Sequence, residues 1–162
     1  MSRAPATPAT GLLRERGVPF EVRLYSYLDH GGTERAAREL NVDEHAVIKT
    51  LVFEDEVKRP FLVLMHGDME VSLKELARAV KVKTASPCAP DAAQRHTGYQ
   101  VGGISPFGVR KRLPVYVQKS IFNLPSILIN AGRRGALAEM DPRYLRELLP
   151  VIEVEAARET AR

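Results

Sequence analysis

The chain has 162 residues, 44% of them hydrophobic and 27% charged, with a formal net charge of +4. This length suits one domain with one core, and the composition is ordinary for a globular protein. No apolar run approaches the ~20 residues of a membrane helix, and the initial MSRAPATPATG lacks the apolar core of a signal peptide. The single cysteine, Cys88, excludes an internal disulfide, so we expect a cytoplasmic, reducing environment. The basic charge favours an anionic partner such as nucleic acid, although many basic proteins have none.

The first half of the chain alternates predicted helices with segments rich in β-forming residues. Residues 46–54 and 59–67 are strong strand patterns, and the short link between them predicts a β-hairpin. The other elements predicted here are a helix over 10–17 capped by Thr10, a strand over 19–27, and a helix over 33–41 capped by Thr33.

The second half of the chain adds short helices and short strands. Ser72 and Glu75 form a capping-box pattern that begins a helix over 72–81, and a further helix over 89–98 ends at Gly98. The remaining predicted elements are strands over 114–118, 126–130 and 151–154, and a helix over 141–150.

No internal repeat, low-complexity linker or change of composition separates the chain into two parts. We therefore predict a single domain over residues 1–162, with loose ends over 1–6 and 156–162. Because helices and strands intermingle around a central hairpin, the pattern favours a mixed α/β sheet packed by helices over a regular βαβ winding.

Lys49 stands in the middle of the strand pattern VIKTLVF. The two-residue period of a strand places it on one face with the apolar Val47 and Leu51. Burying an unpaired ammonium is costly, so this lysine requires an explanation. Either it reaches solvent or pairs with a carboxylate, or it points into a cleft to meet an anionic or carbonyl oxygen.

Two loops combine glycines with basic residues. The first lies in GYQVGGISPFGVRKRLPV over 98–115, and the second is AGRRG over 131–135. Glycines let a ligand approach main-chain N–H groups, and successive N–H groups can form a nest for an oxyanion. Ordinary loops with solvated basic flanks are the alternative. The basic residues beside these loops are Arg110, Lys111, Arg112, Arg133 and Arg134.

Motifs for other chemistries are absent or incomplete. Gly103 and Gly108 have the spacing of a phosphate-binding P-loop, but Val109 and Arg110 stand where Lys and Ser/Thr are required. The four histidines lack the spacing of a zinc site, and no G-x-S-x-G elbow is present. We interpret Cys88 as an incidental thiol rather than a nucleophile.

Four segments, in this order along the chain, resemble the YbaK family, also called the YbaK/ProRS-associated domain. They are VIKTLVF, HGDMEVSLKELARAVKVK, QRHTGYQVGGISPFGVRKRLPVYV and INAGRRG, within about residues 18–154. The most specific is TGYxxGGISPxG with a downstream Lys-Arg-Leu-Pro. Members of this family are trans-acting aminoacyl-tRNA deacylases related to the editing insertion of bacterial prolyl-tRNA synthetases.

The resemblance implies a single α/β domain with a mixed, partly barrel-like sheet, a central cleft, no metal and no nucleotide cofactor. Asn130 and Ala131 replace a serine and a glycine of cysteinyl-specific members, so we do not carry cysteine specificity over. The positions that match the family's site are Lys49 on the strand, Gly102, Gly103, Ile104, Ser105 and Pro106 in the glycine loop, and Tyr25 and Thr50 beside the pocket.

An aminoacyl ester is already prone to hydrolysis, so the expected mechanism needs no protein nucleophile. Lys49 would anchor the carbonyl or a terminal phosphate oxygen, and the N–H groups of Gly102 and Gly103 would hold the acyl carbonyl. Ser105 and Asn130 would shape the side-chain pocket. The five basic residues would hold the acceptor stem of the tRNA through its phosphates.

The expected function is hydrolysis of a mischarged tRNA, such as Cys-, Ala-, Ser- or Thr-tRNA, an activity classed as a lyase in some cysteinyl-specific members. The expected partners are aminoacyl-tRNA and a synthetase such as prolyl-tRNA synthetase, with no membrane. One alternative is a non-catalytic aminoacyl-tRNA or nucleotide-binding module that regulates a synthetase. Another is an unrelated small-molecule hydrolase.

Overall fold

Five α-helices and ten β-strands form within residues 5–160, the part of the chain that the computed structural model describes. The helices are α1 (Pro8–Glu15), α2 (Gly32–Leu40), α3 (Leu73–Val80), α4 (Pro90–Thr97) and α5 (Arg143–Leu148). The strands are β1 (Glu21–Leu24), β2 (Val47–Asp55), β3 (Pro60–His66), β4 (Met69–Val71), β5 (Ala85–Pro87), β6 (Val115–Gln118), β7 (Ile127–Arg133), β8 (Ala136–Met140), β9 (Val151–Val154) and β10 (Ala157–Glu159). None of the described helices has the length and apolar character that crossing a membrane requires.

β2 is the central strand of an open, mixed sheet. The order across the sheet is β1-β8-β7-β2-β3-β6-β9, and β5 pairs with the C-terminal end of β2. β2 and β3 form the predicted antiparallel hairpin, while β2–β7, β3–β6 and β6–β9 are parallel pairs. The prediction of a mixed α/β sheet packed by helices is therefore confirmed. No closed barrel forms among the described strands, because β1 and β9 remain at opposite ends of the order.

Apolar side chains lie on both faces of β2, since successive residues of a strand point to opposite sides. Ile48 and Val52 belong to the larger core, which α1, α4 and the 98–115 segment help to enclose. Phe53 belongs to a second core with α3, and Val47 belongs to a third cluster with α2. One face of β2 thus passes from the third cluster to the second, and Lys49 lies between them.

Local signals predict some helix ends correctly and others not. Gly98 ends α4 as expected, in the left-handed conformation with φ of +81°. Thr10 does not cap α1, because the cap is Thr7, whose Oγ1 accepts a hydrogen bond from the Thr10 N–H at 3.0 Å. Thr33 does not cap α2 either. It lies inside that helix, and its hydroxyl donates to Glu44 at 2.7 Å.

The C-terminal segment corrects the expectation of a loose end over 156–162. Residues 157–159 form β10, which pairs with β4 in a separate two-stranded ribbon. The buried Gln118 holds the start of this segment, because its Oε1 accepts a hydrogen bond from the Ala156 N–H at 2.8 Å. At the other end of the chain Pro5 is buried, so the predicted loose end is also shorter than expected. Residues 1–4 and 161–162 lie outside the described residues.

Candidate functional site

A gap in the strand pairing of β2 opens a cavity of about 950 Å³. On one edge of β2, β7 pairs with residues 47 and 48, and β5 pairs with residues 53–55. Among the described strands, none pairs with residues 49–52 on that edge. Val52 O accepts a hydrogen bond from the Cys88 N–H at 2.9 Å at the border of the gap. Because alternate residues of a strand direct their main-chain groups to the same edge, the N–H and C=O of Thr50 face the gap.

Lys49 borders this cavity, half-buried and held by carbonyl oxygens. Its Nζ donates to Met69 O at 2.5 Å and lies 3.5 Å from Gly67 O, in the turn between β3 and β4. Burial lowers the pKa of Lys49 below its ordinary value, and nearby carboxylates, above all Glu44, act in the opposite direction. Within residues 5–160 its ammonium forms no ion pair, although it is only partly buried. Two carbonyl oxygens lie within hydrogen-bonding distance of an ammonium that has three N–H donors, so at least one donor remains for another group.

The main-chain nest predicted at Gly102 and Gly103 is not available in the expected form. The Gly103 N–H donates to Gln100 O at 2.8 Å, and this glycine does not border the cavity, which corrects the role predicted for it. A Cβ on Gly103 would lie 2.9 Å from the main-chain nitrogen of Arg134. Gly102 does border the cavity, with φ of +92°, and its C=O accepts a hydrogen bond from Asn130 Nδ2 at 2.9 Å. The two glycines therefore permit close packing of two loops.

The rest of the glycine loop divides between the cavity and the core. Ile104 borders the cavity. Ser105 and Pro106 are buried away from it, and Ser105 Oγ accepts a hydrogen bond from the Phe107 N–H at 3.2 Å. The hydroxyl of Tyr99 donates to Phe107 O and fixes the loop from the other side. Ser105 therefore does not shape the pocket by direct contact, contrary to the expectation from sequence.

Asn130 borders the cavity and joins the two glycine-containing loops. Its Oδ1 accepts hydrogen bonds from the N–H groups of Gly132 at 2.8 Å and Arg133 at 3.2 Å, while its Nδ2 donates to Gly102 O. A serine side chain is shorter and could not span the same three partners. Asn130 thus fixes the cavity wall, and its amide has few remaining contacts to offer a ligand.

Tyr25 and Thr50 both border the cavity, as the resemblance implies. The pKa of Tyr25 is raised, mainly by burial and then by Tyr27. Thr50 Oγ1 is buried and has no hydrogen-bond partner among the described residues. An unsatisfied buried hydroxyl is uncommon in a folded protein, and here it lies beside a cavity.

Of the five basic residues predicted to hold tRNA, the structure brings Arg134 to the cavity. Its Nε donates to Val101 O at 2.8 Å, and its guanidinium lies 5.0 Å from the centre of the Tyr27 ring. Lys111 Nζ instead lies 3.0 Å from His96 Nδ1. Four of the five do not border the cavity: Arg110, Lys111, Arg112 and Arg133.

The residues that border the cavity but are missing from the predicted site include Tyr27, Glu70, Cys88 and Arg158. The strand period could have identified Tyr27, because it places Tyr27 on the same face as Tyr25. Glu70 and Arg158 gave no signal, since they lie on strands of only three residues whose pairing is non-local. Cys88 was interpreted from the sequence as an incidental thiol and was not assigned to the site.

The cavity supplies donors and apolar walls rather than a nucleophile. Burial, together with a hydrogen bond to Glu54, raises the pKa of Cys88 to about 12, so its thiol stays protonated at neutral pH and attacks poorly. Within residues 5–160, no three His, Cys, Asp or Glu side chains cluster as metal ligands would. The donors available to the cavity include the Lys49 ammonium and the Thr50 N–H, which can bind and polarise a carbonyl oxygen.

Comparisons with known proteins identify relatives of this architecture. Residues 31–148 match the family model described as "Aminoacyl-tRNA editing domain". A curated protein of Enterococcus faecalis named "Putative Cys-tRNA(Pro)/Cys-tRNA(Cys) deacylase EbsC" is 29% identical over 143 residues, which are 88% of this chain and 87% of that one. A "Proline--tRNA ligase" of Levilactobacillus brevis is 24% identical over 92 residues, which are 57% of this chain but 16% of the ligase.

A solved structure shows the same fold at low sequence identity. It is described as "Crystal structure of a putative trans-editing enzyme for prolyl tRNA synthetase" and has a TM-score of 0.82 at 23% identity, with 96% of this chain and 99% of that chain covered. The family match of residues 31–148 contains Lys49, both glycine-containing loops and the gap in β2. The resemblance drawn from the motifs is confirmed, and the chain belongs to the aminoacyl-tRNA editing domain family.

Proposed function

We propose that this chain is a trans-acting deacylase that hydrolyses the ester of a mischarged aminoacyl-tRNA. The aminoacyl group would enter the cavity at the gap in β2, and a small amino acid such as Cys, Ala, Ser or Thr would occupy it. The observation that carries this proposal is Lys49, which borders the cavity while its ammonium is held by two carbonyl oxygens and keeps a further N–H donor for a ligand. As translation takes place in the cytoplasm, we expect the protein to act there.

The proposed chemistry is attack by water on the acyl carbonyl. The bond between the carbonyl carbon and the ribose oxygen breaks, and the ribose hydroxyl takes up a proton. Lys49 and Thr50 both border the cavity, and in this proposal the Lys49 ammonium and the Thr50 N–H stabilise the developing oxyanion, so the main-chain donor lies on β2 rather than at Gly103. One such donor contributes about 3 kcal/mol to a transition state of this kind. Cys88 takes no covalent part, because its thiol is protonated.

Replacing Lys49 tests this mechanism. Lys49→Ala should lower the rate of deacylation about 100-fold or more, because one oxyanion donor is removed from a site that has few. The measurement is release of free amino acid from a panel of mischarged tRNAs, with circular dichroism to show that the fold is intact. Lys83→Ala is the matched control, since Lys83 is exposed and does not border the cavity.

The outcome separates the enzyme from a binding module. Release of many equivalents of amino acid per protein supports the deacylase, whereas stoichiometric protection of the ester supports a non-catalytic binder. Competition by free amino-acid esters would instead indicate a small-molecule hydrolase. A near-normal rate in Lys49→Ala would remove Lys49 from the mechanism.

A further inference from the structure

The last described residues of the chain cover the turn that holds Lys49. Thr160 Oγ1 donates to Asp68 O at 3.0 Å, and β10 pairs with β4 so that Glu159 lies opposite Met69. Met69 O is the main acceptor for the Lys49 ammonium. The C-terminal strand is therefore part of the wall of the cavity, although the sequence predicts a loose end there.

Arg158, in the middle of this strand, brings a guanidinium to the rim of the cavity. Its Nη2 lies 2.6 Å from Glu70 Oε2, and both residues border the cavity. The Arg158 side chain is 65% exposed, so its other N–H groups are open to solvent. A guanidinium has five N–H donors arranged to meet two oxygens of a phosphate at once. Exposed ion pairs contribute little to stability, so Glu70 can give way to a stronger ligand.

The position of Arg158 fits an anion that must lie just outside the cavity. An aminoacyl ester is carried on the terminal ribose of an RNA, and the 5′ oxygen of that ribose carries a phosphodiester. When the acyl group is inside the cavity, this phosphodiester lies at its rim. Arg134, the other arginine at the rim, is already bonded to Val101 O and lies over the Tyr27 ring.

We propose that Arg158 binds the phosphodiester of the terminal nucleotide of the RNA substrate, exchanging its contact with Glu70 for the phosphate. This inference rests on the proposed function, because it is the ester in the cavity that brings the phosphate to the rim. Glu70 then has a defined effect: its negative charge opposes the phosphate, and Arg158 offsets that charge in the free protein.

Two substitutions at this ion pair distinguish phosphate binding by Arg158 from a purely structural role of the Arg158–Glu70 pair. Arg158→Ala should weaken binding of a tRNA(Pro) that ends in CCA and carries alanine on its terminal ribose through a non-hydrolysable amide by about tenfold, and should lower the slope of log affinity against log salt by about 0.7. Glu70→Gln should tighten binding, because it removes a repulsive charge. If the pair only braced β4 against β10, both substitutions would weaken binding to a similar extent.

The matched controls use the protein and the RNA. Arg78→Ala breaks an ion pair of similar exposure with Glu75, on α3 and outside the cavity border, and should leave binding unchanged. The same tRNA shortened to end in CC lacks the terminal phosphodiester, so Arg158→Ala should have little effect on its binding. Fluorescence anisotropy across a series of salt concentrations gives both the affinity and the slope.

The results separate this inference from the proposed function. Equal weakening by Arg158→Ala and Glu70→Gln, or an equal effect of Arg158→Ala on both RNAs, would overturn the role of Arg158 even if the wild-type protein deacylates tRNA. Conversely, failure of the wild-type protein to deacylate any mischarged tRNA would overturn the proposed function. An effect of Arg158→Ala confined to the complete CCA end would in that case still support the phosphate contact.

Discussion

Lys49 is a cation that the fold partly buries, and no carboxylate of the described residues 5–160 forms an ion pair with it. Its acceptors are the main-chain carbonyls of Gly67, in the β3–β4 turn, and Met69, at the start of β4, which fix its direction but do not neutralise it. Burial is the largest influence on its pKa and lowers it, while Glu44, Glu70 and Asp68 raise it. A buried, uncompensated charge lowers the stability of the folded state, and such groups are common at functional sites.

This environment predicts a pH dependence that an ordinary lysine would not show. If the ammonium form stabilises the oxyanion, the catalysed rate should fall as the pH rises through the lowered pKa of Lys49, at a lower pH than the one at which a free lysine titrates. Glu70→Gln removes a charge that raises this pKa, so the fall should move to lower pH. The measurement is the rate of deacylation from neutral to alkaline pH, after subtraction of uncatalysed hydrolysis.

Glu75→Gln, at an exposed position on α3, is the control for that experiment and should leave the pH at which the deacylation rate falls unchanged. If the fall in rate at alkaline pH does not move in Glu70→Gln, the assignment to Lys49 is contradicted.

The pH dependence of stability has the opposite sign to that of activity. The folded state binds the Lys49 proton less tightly than the unfolded chain does. The free energy of unfolding should therefore increase as the pH rises through the lowered pKa of Lys49.

At the scale of elements, the cavity wall depends on two loops joined by a small number of contacts. Asn130 Nδ2 reaches Gly102 O, and Arg134 Nε reaches Val101 O. Between these two hydrogen bonds, Gly103 packs against the main chain of residues 133 and 134. The glycines that suggested an anion nest in the sequence thus act first through close approach of one backbone to another.

Adding a methyl group at this contact should separate the loops. In Gly103→Ala the new Cβ would lie 2.9 Å from the main-chain nitrogen of Arg134 and 3.0 Å from the carbonyl carbon of Arg133, so the backbone must shift. We expect the free energy of unfolding in urea to fall by about 1–3 kcal/mol and KM for deacylation to rise. Gly11→Ala is the matched control. Gly11 lies inside α1 with nothing near its Cβ position, and the same change there should stabilise by about 0.5–1 kcal/mol. Equal effects at the two glycines would contradict this account.

For the whole molecule, sequence predicts well what local patterning and family motifs determine. The β2–β3 hairpin, the mixed sheet and the position of Lys49 follow from strand periodicity and from the motif around it. The strands β4, β5 and β10 were missed, because each has only three residues and pairs with a segment distant in sequence. β8 was missed although it pairs with the preceding strand β7 across a short turn at residues 134 and 135. Glu70 and Arg158 were missed with β4 and β10, and the use of the Gly103 N–H within a turn could not be predicted from residue types.

The charge of the whole molecule is distributed over both faces of the sheet, and the two faces should contribute differently to RNA binding. Arg110 and Lys111 lie beside the end of α4, which packs on the larger core. The Arg110 N–H donates to Thr97 O at 2.9 Å, and the Lys111 N–H donates to His96 O at 3.2 Å. Their main chain is thus fixed beside α4 while both side chains remain exposed, as a surface that holds an acceptor stem requires. Lys111 and His96 also lie close together, which lowers the pKa of His96 after the larger effect of burial.

Neutralising this surface should therefore weaken tRNA binding in a salt-dependent manner. The double variant Arg110→Ala, Lys111→Ala should lower the slope of log affinity against log salt by about 1.5, since each phosphate contact contributes about 0.7–0.9. Arg78→Ala combined with Lys83→Ala removes the same charge near α3, which packs on the opposite face of the sheet, and should leave the slope unchanged. A slope that both double variants lower equally would show that net charge, and not this surface, attracts the RNA. A slope unchanged in both would place the tRNA contacts elsewhere, because lost phosphate contacts must release fewer counterions on binding.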